Sequence, residues 1–318
     1  MAQGKRYVAA LALALLAPAA ASAETVPDET AFTVTALLAD AAAEEMDRRV
    51  TAVMERRFGA APGLAFMVSI TGAGESRVIL KFKPDVAEDA AARAVEAAIE
   101  QMRGGLPAGA GAPILARMSM TTLPAAFVGF SSEDRSQAEL TEMLVAVERE
   151  LFAASDAFEA IVRYGAHDPM LSLRLDLLRL AANGLTVRSV QAALALNGID
   201  SQPLGEFAFR LLRNGRPADP EDVARVTMRN GLGNAVPLHD VGIVAREAQS
   251  DGLIARFNGR SVVLLTMSPR NGISPLDAVR AVHRGLSAVA GRLPGGVRHA
   301  VGYPCGACAA AVAREPSR

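Results

Sequence analysis

The chain has 318 residues, 51% of them hydrophobic, and a formal charge of −1, which is enough to bury one sizeable core or two or three smaller ones. The near-neutral balance argues against a nucleic-acid partner. The lack of tryptophan and the 4% aromatic content argue against stacking platforms for bases or sugars.

The first 23 residues read as a secretory signal: Lys5-Arg6, an apolar run from Tyr7 to Ala17, then Ala21-Ser22-Ala23 as a small-residue cleavage site before Glu24. The competing reading is an uncleaved membrane anchor. Pro18 and length weigh against it, because Tyr7 to Ala23 is shorter than the roughly 20 apolar residues that a spanning helix needs. Beyond Glu24 the longest apolar runs, such as Ser261 to Met267, are of strand length, and the helical stretches carry charges.

Periodicity then gives a strand at Phe32 to Leu37, a helix at Asp40 to Phe58, strands at Ala65 to Thr71 and Arg77 to Phe82, a helix at Val86 to Arg103 and a strand at Ile114 to Met120. This β-α-β-β-α-β order is a ferredoxin-like unit. The order begins again with strand Ala125 to Phe130, helix Gln137 to Ala153, strand Ala157 to Tyr164 and a further segment, Met170 to Asp176. It ends with strands Leu253 to Asn258 and Val262 to Met267, helix Leu276 to Arg292 and strand Val297 to Tyr303.

An insertion separates the halves of the second unit. It holds two short helices, strands at Phe207 to Arg213 and Val223 to Arg229, and turns such as Asn214-Gly215-Arg216-Pro217. The expected fold is α+β: two ferredoxin-like βαββαβ units, the second interrupted by a small α+β subdomain. The boundaries are 1–23 for the signal peptide, 24–121 for the first unit, 122–175 and 251–303 for the second, 176–250 for the insertion and 304–318 for a C-terminal tail.

The stretch Leu173 to Gly198 carries the sharpest local signals. Asp176 offers a carboxylate to the amides of a helix ending at Asn183-Gly184, and Thr186 caps a second helix with Val190, Ala193, Leu194 and Asn197 on one face. Asp176, Leu180, Gly184-Leu185-Thr186, Val190, Ala193-Leu194 and Asn197 resemble the docking subdomain of resistance-nodulation-division (RND) efflux transporter permeases. Upstream, Thr33-Val34-Thr35, Pro62-Gly63-Leu64 and Leu80-Lys81-Phe82 fall in that family's order, as do Asp240-Val241, Arg256-Phe257-Asn258-Gly259, Leu276-Asp277-Ala278 and Leu293-Pro294-Gly295-Gly296-Val297 downstream. The resemblance covers about residues 26 to 303, the first periplasmic porter and docking loop of such a permease without the transmembrane domain.

The resemblance implies two porter subdomains, the second split by a docking subdomain, in a periplasmic protein concerned with xenobiotic transport. Retention of the uncleaved anchor implies the inner membrane instead. The resemblance further implies an RND pump subunit or a periplasmic adaptor as partner, and a small-molecule or soft-metal substrate. The hairpin from Gly198 to Phe209, with Pro203 and Gly205, is short for threading into a neighbouring subunit, so self-association by that route is doubtful.

Candidate chemistry is sparse. Cys305-Gly306-Ala307-Cys308 reads as a local disulfide or as free thiols, with a redox or metal role as the alternative: the pair lies beyond the last expected strand rather than at a helix N-terminus, and two cysteines are too few for a zinc site unless a second chain contributes. The family usually has Asp-Thr here. His167-Asp168 and His239-Asp240 fall in expected loops, and no serine or cysteine has the setting of an activated nucleophile. Met118 and Met120 on one strand are core filler or a soft-metal pair. Tyr164 stands where multidrug members often have an aromatic residue, so the resemblance implies substrate binding there. The expectation is a non-catalytic binding or assembly module without a cofactor. The alternatives are a truncated or split permease with no activity of its own and a periplasmic metal-binding protein.

Overall fold

The computed structural model describes residues 29–119, 123–153 and 155–315; the segment expected to be a leader, with its expected cleavage site, lies outside them. The protein is a mixed α+β fold built on antiparallel sheets. Its first part runs β1 (Ala31–Leu37), α1 (Ala43–Met46), a π turn (Asp47–Thr51), α2 (Ala52–Phe58), β2 (Leu64–Gly72), β3 (Glu75–Phe82), α3 (Glu88–Met102) and β4 (Ile114–Arg117). Next come β5 (Ala126–Ser132), α4 (Gln137–Ala153) and β6 (Phe158–Tyr164).

The third part contains β7 (His167–Leu175), α5 (Leu177–Ala182), α6 (Val187–Leu196), β8 (Asp200–Pro203), β9 (Ala208–Arg213), β10 (Arg216–Pro217), α7 (Pro220–Ala224), β11 (Thr227–Arg229), β12 (Ala235–Pro237) and β13 (Gly242–Ser250). The chain then returns through β14 (Ile254–Phe257), β15 (Arg260–Pro269), α8 (Pro275–Ala290), β16 (Val297–Gly302) and α9 (Gly306–Ala313).

Nine strands form one sheet in the order β16-β5-β15-β14-β2-β3-β1-β4, with β6 also paired to β15. The stripes Met46, Val50, Met54 and Phe58 on the first helical stretch and Val95, Ala98 and Met102 on α3 bury against β1 and β3. Leu140, Leu144, Val147 and Leu151 of α4, with Val282, Leu286 and Val289 of α8, do the same on β5 and β15. The opposite faces of the two half-sheets share a separate core of Phe66, Val68, Ile79, Phe127, Phe257 and Leu264. Strand alternation explains the division, because Phe66 and Val68 of β2 point to this shared core while Met67 points to the helices.

The half-sheets join where β14 pairs antiparallel with β2, from Ile254 opposite Thr71 to Phe257 opposite Val68. Asn258 and Gly259 both have positive φ, 48° and 79°, the pattern of a type I′ turn, which suits Asn-Gly. Asn258 exchanges hydrogen bonds with the Met67 main chain at 2.8 and 2.9 Å. Arg256 donates to both carboxylate oxygens of Asp47, in the π turn, and to the Gly259 carbonyl. The Glu55 carboxylate lies 3.9 Å from Arg256 and accepts from Ser69 Oγ. Phe257 stacks on Phe66 at 5.7 Å and 11°. The π turn also brings Thr51 Oγ1 within 2.7 Å of both Thr71 Oγ1 and Ser76 Oγ.

A second sheet, β10-β9-β7-β13 with β8 on β9, carries its own core under α5 and α6, and β11 and β12 form a two-stranded sheet beside it in sequence. Asp176 caps α5 and Thr186 caps α6 in a capping box with Ser189. Three expectations differ here. The segment at 170–176 is bonded to β9 and β13 rather than to the second unit. The expected strand at Val223 to Arg229 is strand only at Thr227–Arg229; Val223 and Ala224 close α7, because Asp219 caps that helix, Pro220 fits its first turn and Glu221 and Asp222 favour its N-terminus. Within the expected tail, Gly306–Ala313 form α9, an alanine-rich helix packed on α8.

Arg256→Ala leaves Asp47 and Glu55 buried beside no cation, and a loss of about 3 kcal/mol in urea unfolding is expected, whereas Arg103→Ala at an exposed pair leaves the midpoint nearly unchanged. Burial holds the Glu55 carboxyl above the usual range, opposed by Ser69 and Arg256. Its raised value contributes stability that is present below the ordinary carboxylate range and is lost as pH rises through the raised value. Glu55→Gln should therefore gain stability relative to the parent as pH rises, read from urea midpoints across a pH series.

Candidate functional site

On the shared face of the half-sheets lies a cleft of about 1050 Å³. Its apolar wall is Ile70, Ile79, Met118, Leu123, Phe127 and Tyr164, and its polar groups include Arg77, Glu159, Thr266, Ser268, Arg270 and Asn271. The loop after β15 closes one side: the Arg270 amide donates to the Ala157 carbonyl at 2.8 Å, and Ser274 then caps α8. An apolar floor with polar groups around it suits a ligand with an apolar body.

Tyr164 ends β6 opposite Leu264 of β15 and packs against the shared core. Its neighbour Arg163 turns away, to Glu148 of α4 at 3.1 Å and to Asp168 at 3.0 Å; burial pushes the Glu148 carboxyl up, with Arg163 opposing. Met118 follows β4, fixed by its N–H, which donates a hydrogen bond to the Ala31 carbonyl at 2.9 Å, and packs on the same core. The cleft thus brings Tyr164 and Met118 together. Met120 lies outside the described residues.

Cys305 also lines the cleft. It is bonded to Cys308 in a disulfide and caps α9, where its sulfur accepts the Cys308 amide. A pair placed by sequence in a tail therefore sits at a helix N-terminus, as redox-active pairs do. Burial raises the Tyr303 phenol two residues before it. Both sulfurs are spent on each other, so neither offers a thiolate beside Met118. Among the described residues no three His, Cys, Asp or Glu side chains converge on one point. His167 and Asp168 lie in β7, not in a loop, and Asp168 is held by Arg163. His239 and Asp240 are 3.4 Å apart on an exposed turn.

Sequence reasoning missed the ion pair behind the cleft. Lys81 Nζ is 2.8 Å from Glu29 Oε2, with side chains only 3% and 0% exposed. The available signal was a lysine inside the apolar strand Val78-Ile79-Leu80-Lys81-Phe82.

Residues 13–307 match the family model described as the AcrB/AcrD/AcrF family. The chain belongs to the AcrB/AcrD/AcrF family. It is 26% identical over 263 residues to multidrug resistance protein MdtC of Pectobacterium atrosepticum, covering 80% of this chain and 26% of that relative. It is 25% identical over 270 residues to MdtC of Edwardsiella ictaluri, and 21% identical over 269 residues to an uncharacterized transporter of Haemophilus influenzae, in each case with 83% of this chain and 26% of the relative covered. The chain spans about a quarter of the length of these relatives. Among the described residues no helix is long and apolar enough to cross a membrane. Arg256-Phe257-Asn258-Gly259, one of the stretches that carried the resemblance, is the joint between the half-sheets of this AcrB/AcrD/AcrF family member.

An amphipathic fluorescent dye with an aromatic body and one sulfonate, anilinonaphthalene sulfonate, should bind in the cleft. Tyr164→Ala should weaken it about fivefold by removing apolar contact area, and Leu178→Ala, at an exposed site on α5, should not; fluorescence titration decides, and equal affinities would exclude this cleft.

Proposed function

We propose that the chain is a non-catalytic binding and assembly module of an efflux system, the porter and docking part of an RND permease. On this reading the half-sheets are two ferredoxin-like porter subdomains and the five-stranded sheet is the docking subdomain. The carrying observation is the cleft that faces Tyr164 and Met118 across the two half-sheets of an AcrB/AcrD/AcrF family member. Its strand orders, β2-β3-β1-β4 and β6-β15-β5-β16, support the porter reading because each places the first and third strands at the centre. The cleft would take a small molecule with an apolar body, and Tyr164 would provide a flat face for it.

The partner on this reading is a pump subunit or periplasmic adaptor, and the site of action is the periplasm, with the leader either cleaved before Glu24 or kept as an anchor in the inner membrane. The soft-metal alternative keeps Met118 and Met120 as ligands but loses the thiolates while the disulfide stands. A second reading, favoured by the coverage of about a quarter of each relative, is a part that works only within a longer permease.

Cross-linking in the native host followed by mass spectrometry should recover a pump component or adaptor with this chain, and deletion should change drug susceptibility in a way that the chain restores. No recovered component together with unchanged susceptibility would overturn the proposal.

A further inference from the structure

The disulfide lies where the two half-sheets meet for a second time. Gly306 and Ala307, the residues between the cysteines, donate their amides to Glu29 Oε2 and Oε1, each at 2.7 Å. Glu29 precedes β1 and is paired with Lys81 of β3, so a buried carboxylate from the first half occupies the N-terminus of a helix that packs on the second. The fit is close. A Cβ on Gly306 would come within 3.1 Å of Glu29 Oε2 and 3.3 Å of Pro84 Cγ. Further back, a Cβ on Gly302 would sit 2.7 Å from the Phe66 ring. The far end of α9 is tied to α8 by Arg280 and Glu315, and its face packs through Cys308 and Val312 against Val279.

We propose that Cys305–Cys308 is a thiol–disulfide exchange site that latches α9 to the first half, with a dithiol as its reaction partner. The four-residue ring holds two successive amides toward one carboxylate, so opening it frees the turn that Glu29 grips. Both cysteines are buried; Cys305 is the one whose residue lines the cleft, and it is the one attacked when the turn opens locally. A thiolate of the dithiol bonds to Cys305 Sγ, the Cys305–Cys308 bond breaks, and the Cys308 sulfur leaves with the electron pair and takes a proton. The second thiol of the reagent, deprotonated, then displaces Cys305, which is protonated in turn. The chain gains two electrons and two protons, and the dithiol becomes a disulfide.

Glu29 sets the direction of this equilibrium. A helix N-terminus stabilises the thiolate of a reactive pair, but here the amides are taken by a carboxylate, and a second anion beside it is disfavoured. The protonated dithiol is uncharged as well, so Glu29 biases the equilibrium through the turn: the closed ring holds both amides toward the carboxylate, and the open one does not. The latch is therefore closed when oxidised and yields only to a strongly reducing dithiol.

The test uses the intact chain equilibrated with dithiothreitol buffers of graded ratio, with the thiols counted by mass after alkylation in denaturant and the folded state followed by hydrogen exchange. Reduction should speed exchange at Gly306 to Ala313 about tenfold or more while β2 and β14 stay protected, and Glu29→Gln should shift the equilibrium about tenfold toward the reduced form. Exchange in α9 that does not respond to reduction overturns the latch. A folded Glu29→Gln chain with an unshifted equilibrium overturns the role of the carboxylate; if that variant does not fold, the parent's exchange response alone decides.

Discussion

The pairing of β14 with β2 is the constraint on which the architecture depends. Each half-sheet has helices on one face only, so its other face would expose Phe66, Val68, Phe127, Phe257 and Leu264 to water. Main-chain bonds across β2 and β14 make the two halves one sheet, and burial of that shared face supplies the favourable free energy for holding them so. Arg256 adds direction. Its two-pronged contact with Asp47 fixes the hairpin against the π turn, and Asn258 completes the ladder at Met67. Arg256 and Asp47 are worth little as an attraction against their desolvation, but either one alone would be costly; the pair penalises every other register of β14 on β2.

The cleft follows from that joint. Its walls come from β2 and β3 on one side and from β5, β6 and the loop after β15 on the other, so its shape is set by how the halves are held. The buried Glu29–Lys81 pair and the α9 turn hold the same two halves at a second place. Two separated attachments restrict rotation about a single joint, which is what a binding wall for a small molecule needs if its width is to be reproducible.

Much of this architecture was readable in the sequence where the signal is local. The stripe Met46, Val50, Met54 and Phe58 has helical spacing and is buried. Asp176 and Thr186 are caps that need only their own next three residues, and both accept the expected amides. The misses have non-local causes. The 170–176 segment is a strand by pattern, but its neighbours β9 and β13 are far along the chain, and nothing in its own alternation names them. An eight-residue alanine-rich helix is marginal alone; α9 exists through Glu29, Arg280 and the disulfide, which local pattern does not contain. Asp219-Pro220-Glu221 was a local helix start that the alternation of Val223 to Arg229 obscured. In the cleft, Tyr164, Met118 and Cys305 were singled out for separate reasons, while Arg77, Glu159 and Arg270 had no signal, because only the fold brings strands so distant in sequence to one wall.

Native-state hydrogen exchange on the intact oxidised chain tests the joint most directly. If the half-sheets form one body, the amides paired across β2 and β14 exchange as slowly as those of β3 and β5, and all four strands open together as denaturant is raised. Fast exchange at the β2 and β14 pairs, or separate opening of the two half-sheets while each keeps its own helices protected, would contradict it.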